Sequence, residues 1–222
     1  MISLLIATRN RHKVEEIRAV LGSRFRLHSL EAVPKLPPIQ EDQQTFTGNA
    51  LKKARETAAL VAALPEASTR GLGAQVLVLA DDSGLEVDAL RGAPGVHSAR
   101  FAALDTGWMT SGNSSDSENN AKLLRLLEGV AESERTARFR CVLACVQLRP
   151  AEPRQPDRTF EGVCEGAIQY RAAGRGGFGY DPLFVPEGQT LSFAELGAEM
   201  KNRISHRFHA LQKLKGALAK KG

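Results

Sequence analysis

Val76-Leu77-Val78-Leu79-Ala80-Asp81-Asp82-Ser83-Gly84 is a β-branched apolar run that leads directly into two carboxylates, a hydroxyl and a glycine. Four or five apolar residues rich in valine and leucine suit a buried strand, here read as 76–80. In α/β proteins the carboxyl end of such a strand opens onto the crevice where ligands bind. Two adjacent acids repel each other unless a positive group lies beside them. A hard cation supplies that, and Mg²⁺ is usually held by one or two protein carboxylates with water and phosphate oxygens completing its shell. The plainer reading is a solvated turn that ends the strand. The surrounding sequence decides between the two.

Upstream, Ile2 to Ile6 reads as a second short buried strand. Val14, Ile17 and Leu21 then recur at helical spacing, with Gly22 where a helix stops. The residues between (Thr8, Arg9, Asn10, Arg11, His12 and Lys13) form a strand-to-helix loop carrying a hydroxyl, an amide and three permanent cations. Free N–H groups at a helix start, with a lysine nearby, attract phosphate. The glycines of a P-loop are missing, so the loop is of another kind. By itself it would pass for a basic helix start on the surface.

Downstream, Gly174-Arg175-Gly176-Gly177-Phe178-Gly179-Tyr180-Asp181-Pro182 places four glycines within six positions. Glycines let a backbone approach a ligand and turn its N–H groups into a concavity, and Phe178 and Tyr180 offer flat surfaces for a purine ring. Lys201-Asn202-Arg203-Ile204-Ser205-His206-Arg207 follows, with Ile204, Phe208, Leu211 and Leu218 spaced as the buried stripe of a C-terminal helix. On one straight helix Lys201 and His206 would stand ~140° apart at 3.6 residues per turn.

Taken in order, Thr-x-Asn-x-x-Lys, Ala-Asp-Asp-Ser-Gly-Leu, Gly-Gly-Phe-Gly-Tyr-Asp-Pro and Lys-x-x-Ile-Ser-His-Arg resemble the inosine triphosphate pyrophosphatase family from about residue 2 to about residue 215. Thr45-Phe46, Asn49-Ala50, Gly92 to Val96 and Ser98 to Phe101 add to the likeness. The resemblance implies hydrolysis of dITP, ITP and XTP to monophosphate and pyrophosphate, with Mg²⁺ as cofactor, in a cytoplasmic homodimer. It implies one domain over 1–222, made of two lobes around an active-site cleft. It assigns the triphosphate to Thr8, Arg9, Asn10, Arg11, His12 and Lys13. Asp82 would bind the metal and accept a proton from the attacking water, with Asp81 orienting the site and Ser83 touching the nucleotide. Phe178, Gly179, Tyr180, Asp181, Lys201, His206 and Arg207 would enclose the base. Hypoxanthine and xanthine carry a 6-oxo acceptor where adenine carries a donor, so donors such as Arg207 would disfavour ATP.

Three stretches depart from the family pattern, and one of them, Ser68 to Gln75, lengthens the approach to the strand 76–80. At Gln40-Glu41-Asp42-Gln43-Gln44-Thr45-Phe46 the resemblance expects Glu-Glu-Thr-Gly-x-Thr-Phe, so its first glutamate falls on Gln40 and its glycine on Gln43. Glu41 is the nearest carboxylate and is assigned to the metal beside Asp82. The segment 105–117 is long and polar, the composition of a surface loop, with Trp108 and Met109 inside it.

The remaining sequence is consistent with this reading. The chain has 222 residues, 42% of them hydrophobic, enough for one large core. No apolar run nears the ~20 residues that span a bilayer, and no signal segment opens the chain. A net charge of +5 suits a polyanion; because it is spread along the chain, nucleotide explains it more economically than nucleic acid. Cys141 and Cys145 fall on one long strand, ~13 Å apart, too far for a disulfide. Further elements are a helix at 11–21, strands near 25–30, 136–148 and 158–170, a helix over 48–63, and helices started by Ser115-x-x-Glu118 and Ser192-x-x-Glu195. Alternating helices and strands indicate an α/β fold with a mixed, twisted central sheet flanked by helices. Two rivals stand beside this reading. One is a related pyrophosphatase acting on pyrimidine or methylated nucleotides, against which Ser-His-Arg speaks. The other is a non-catalytic nucleotide- or RNA-binding protein, against which the paired acids speak.

Overall fold

The computed structural model describes residues 2–73, 75–106, 112–149 and 156–219. Six strands form one mixed sheet in the order β2-β1-β3-β4-β5-β6. They are β1 (Ser3–Ile6), β2 (Arg26–Ser29), β3 (Val76–Val87), β4 (Thr136–Gln147), β5 (Arg158–Ile168) and β6 (Phe184–Pro186). β1 lies parallel to both β2 and β3, pairing Ser3 with Arg26 and with Val76, and β6 runs antiparallel to β5. The helices are α1 (Arg11–Leu21), α2 (Phe46–Ala62), the single turn α3 (Glu66–Thr69), α4 (Asp116–Leu126), α5 (Phe193–Ile204) and α6 (His206–Ala219). Among the described residues no helix is long and apolar enough to cross a membrane. The chain divides into two compact units: Met1–Asp82, Val142–Glu161 and Ala210–Gly222 form one, Ser83–Cys141 and Gly162–His209 the other.

In the first unit Leu4, Leu5, Ile6, Val78 and Leu79 are all sealed from solvent, which is why β1 and β3 begin as unbroken apolar runs rather than alternating ones. α1 buries Val14, Ile17 and Leu21 and stops at Gly22, whose φ of +61° a side chain would resist. α2 starts at the Thr45 cap, whose hydroxyl accepts from the Gly48 N–H at 3.0 Å. Its buried face is lined by Ala50, Ala54 and Ala58, small enough for close packing.

The second unit is centred on an apolar cluster that includes Leu85, Val87, Phe139, Tyr180, Phe184 and Phe193. Phe139 and Phe184 meet edge to face with ring centroids 4.7 Å apart. Ser115 and Ser192 form the expected capping boxes with Glu118 and Glu195, and these start α4 and α5.

Two expectations are corrected. β3 does not end at Ala80. It continues through Asp81-Asp82-Ser83-Gly84 to Val87, because Leu85 and Val87 resume the burial and the carboxylates find cations inside the fold. The C-terminal stripe is not one straight helix either. Ser205 takes an extended conformation (φ −71°, ψ 160°) between α5 and α6, and its hydroxyl accepts from the Phe208 N–H at 3.2 Å. The helical angle between Lys201 and His206 therefore does not apply. Cys141, Cys145 and Cys164 are buried thiols, and Trp108 and Met109 lie outside the described residues.

Candidate active site

Successive residues of a strand point to opposite faces, so Asp81 and Asp82 cannot share one environment. Each is buried, at 1% and 4% exposure, and each has its own lysine. Lys13, in the first turn of α1, forms an ion pair with Asp81 Oδ1. Lys53, from the middle of α2, has its Nζ 3.5 Å from Asp82 Oδ1. The same ammonium donates to Glu41 Oε1 and to the Asp81 carbonyl, both at 2.7 Å. One cation thus joins the two expected metal carboxylates and the strand that carries one of them.

The electrostatics of this cluster are opposed. Burial pushes the Asp82 carboxyl up to about 6; Lys53 and Lys13 pull it down, and Glu41 adds to the rise. Burial alone would lower Lys53, but Asp82 and Glu41 outweigh it and hold the ammonium above its ordinary pKa. Asn49, one turn before Lys53 on the same helix face, also favours the charged carboxylate. Yet neither Asn49 Nδ2 nor the buried Asp82 Oδ2 makes a well-formed hydrogen bond within the protein. A buried carboxylate oxygen without a donor is costly, and an electropositive ligand would satisfy it. Among the described residues no three carboxylates, histidines or cysteines gather as a metal centre. Glu41 and Asp82 are two carboxylates on one ammonium, and Mg²⁺ is usually held by one or two such groups.

The phosphate loop divides. Asn10 caps α1, its Oδ1 accepting from the Lys13 N–H at 3.2 Å, and Thr8 Oγ1 accepts from the Asn10 N–H at 3.2 Å. Arg9 donates to the Leu36 carbonyl. Arg9 and Arg11 turn into a cavity of about 680 Å³ that Arg18, Lys35, Glu15 and Glu31 also line. His12 is exposed and lies 3.9 Å from Glu15. Of the loop's three permanent cations, only Lys13 joins the acids of β3.

In the second unit the glycine loop folds tightly over Asp181. A Cβ on Gly177, at φ +75°, would overlap the Asp181 carboxylate. Asp181 accepts from the Phe178 N–H at 2.9 Å and from Lys201 Nζ at 2.5 Å. Lys201 Nζ stands 4.3 Å from the centroid of the half-buried Phe178 ring, and the Arg207 guanidinium 6.0 Å from it. Arg207 Nη2 donates to Ser83 Oγ at 3.2 Å. Ser83, Phe178, Asp181, Lys201 and Arg207 therefore meet in one group, drawn from β3, the loop and the α5–α6 junction.

Residues 4–217 match the model of the Ham1 family. The chain belongs to the Ham1 family. A dITP/XTP pyrophosphatase of Desulforamulus reducens is 46% identical over 213 residues, 96% of this chain and 93% of that protein. One of Geobacter sulfurreducens is 46% identical over 223 residues, covering 100% and 99%. Among solved structures, a HAM1 protein of Coxiella burnetii superposes with a TM-score of 0.77 at 34% identity, over 99% of this chain and 100% of the other. A nucleoside-triphosphatase / dITP/XTP pyrophosphatase of Mycobacterium abscessus gives 0.69 at 36% identity, over 96% and 98%. The six-stranded α/β sheet is thus a Ham1 fold.

Two more of the residues expected at the base are buried in this Ham1 chain, as Asp181, Lys201 and Arg207 are. Tyr180 is a core residue, 3% exposed, with its hydroxyl donating to the Ser98 carbonyl at 2.9 Å and its pKa raised first by burial. His206 is buried and stacks on Phe139, ring centroids 4.8 Å apart and 15° between planes. Lys53, which no motif points to, is the residue that joins Glu41 to Asp82. Its signal is the line Asn49, Lys53, Thr57, three polar residues at i, i+4 and i+8 beside the alanine face of α2.

Proposed function

We propose that the chain is a nucleoside triphosphate pyrophosphatase. On this reading it hydrolyses dITP, ITP and XTP to the monophosphate and pyrophosphate and so clears deaminated purines from the nucleotide pool. The observation that carries the reading is the buried Asp82, whose Oδ1 lies 3.5 Å from the Lys53 ammonium that also binds Glu41 and whose Oδ2 has no hydrogen-bond partner.

Phosphoryl transfer depends on positioning and on neutralising charge rather than on covalent catalysis. Lys13 takes the triphosphate and balances charge that develops on the departing pyrophosphate. Lys53 keeps Glu41 and Asp82 together and ionised before substrate arrives. Asp82 accepts the proton of the attacking water, for which a base near neutrality is well matched. Glu41 and Asp82 would hold Mg²⁺, which when bound contributes charge neutralisation at the phosphates and acidifies water. Thr8 and the N-terminal N–H groups of α1 add phosphate donors.

In the second unit Phe178 provides the ring on which a purine stacks. Lys201 and Arg207 offer donors that a 6-oxo purine can accept and an exocyclic amino group cannot. Gln40 has an amide oxygen where the resemblance expects a carboxylate, and it would support a bound metal through a water. A cytoplasmic homodimer is the form we propose for the working enzyme. Incubation with Mg²⁺ and a panel of ITP, dITP, XTP, GTP, ATP, dTTP and UTP tests the reading. Preference for ITP, dITP and XTP supports it, and preference for ATP or a pyrimidine nucleotide contradicts it.

A further inference from the structure

The loop that carries Phe178 is held by a helix outside it. Asp116 and Asn120 stand four residues apart at the start of α4, so their side chains share one face. Asp116 Oδ2 accepts from the Gly179 N–H at 2.6 Å, and Asn120 Nδ2 donates to the Gly179 carbonyl at 3.0 Å. Both polar groups of one residue are taken by one helix. Gly179 has a φ of +63°, and a Cβ added there would touch nothing within 4 Å, so no packing fixes its backbone. Before the ring, the Phe178 N–H donates to Asp181 Oδ2 at 2.9 Å; after it, the Phe178 carbonyl, in the same peptide group as the Gly179 N–H, accepts from the Asp181 N–H at 3.3 Å. The peptide group before Phe178 is thereby held by the loop itself, and the one after it by the loop and α4 together. α4 is in turn fixed by its capping box and by Asn119, whose Oδ1 accepts from the Ala102 N–H at 2.8 Å.

We propose that Asp116 and Asn120 are positioning residues for base recognition. By gripping Gly179 they set where the Phe178 ring stands against Lys201 and Arg207, and so how tightly and how selectively a purine is held. The proposal rests on the reading of Phe178 as the platform for the base. Neither side chain touches the reacting atoms, so their loss acts on substrate binding rather than on the chemical step.

Steady-state kinetics of Asp116→Ala and Asn120→Ala with ITP and with ATP test this. Loss of one hydrogen bond to the loop is expected to raise KM for ITP about tenfold and to lower the ITP-to-ATP preference in proportion, with kcat for ITP within about twofold of the parent. Asp116→Asn keeps an acceptor oxygen and is expected to recover most of the loss. A merely structural role would lower the folded fraction, reducing kcat for both nucleotides alike while KM and the preference stay at parental values. That outcome, or a failure of Asp116→Asn to recover what Asp116→Ala loses, overturns the proposal. A parent protein that does not distinguish ITP from ATP would instead overturn the reading of Phe178 on which it rests.

Discussion

At Asp82 burial raises the carboxyl to about 6 while two lysines pull the other way. Between roughly pH 4 and pH 6 the folded protein therefore binds more protons at this site than the unfolded chain does. Stability falls as pH rises through that window and stays lower above it. Asp82→Asn removes the charge with little change of shape. In EDTA-treated protein the substitution is expected to raise Tm at pH 8 by on the order of 5 °C, from a shift of about two pKa units and ~2–4 °C per kcal/mol. At pH 4 the two proteins should melt together. The same variant should lose ~10²–10⁴ in kcat through the missing base. A variant that is destabilised at pH 8, or that turns over normally at saturating Mg²⁺, contradicts the role given to Asp82.

Among the elements, α5 opens on the Ser192 cap and is kinked at Gly197 (φ +76°) before it reaches Lys201. The Ser192 hydroxyl donates to the Ala173 carbonyl at 2.9 Å and accepts from the Glu195 N–H at 3.3 Å. Ser192→Ala should therefore lower stability by about 1–2 kcal/mol, seen as a Tm lower by a few degrees; an unchanged Tm would remove the cap from the list of supports. This start was legible in the sequence because a capping box is local, four residues long. So were α1, with its apolar triplet and Gly22, and the double-sided burial of β1. The continuation of β3 through Asp81 and Asp82 was not. Two acids followed by serine and glycine look like the end of a strand unless their partners are known, and those partners come from α1 and α2, 68 residues away in the case of Lys13 and Asp81. The break at Ser205 was hidden for a similar reason: an apolar stripe runs across it at helical spacing, and only the backbone shows that two helices share it. The burial of Tyr180 with Leu183 and Phe184 was not legible either, because an aromatic beside glycines fits a core position as well as a ligand surface.

On the scale of the whole molecule, the proposed function gives the triphosphate and the base to different residues. On that proposal the triphosphate, common to every substrate, would fall to Lys13, and the base to Phe178, Lys201 and Arg207. Lys13→Ala should reduce kcat/KM for ITP, XTP and GTP by similar factors, roughly 10- to 200-fold for a lost charged hydrogen bond. Arg207→Ala should instead shift the ratio of ITP to ATP activity, and a shift caused by Lys13→Ala but not by Arg207→Ala would reverse the placement of the nucleotide. Attack at the α phosphate is the claim on which all of this depends. Hydrolysis of ITP in ¹⁸O-water, followed by ³¹P NMR, reads it directly. Inosine monophosphate carrying the label, with unlabelled pyrophosphate, is the predicted result; label in pyrophosphate, or release of orthophosphate and inosine diphosphate, would contradict it.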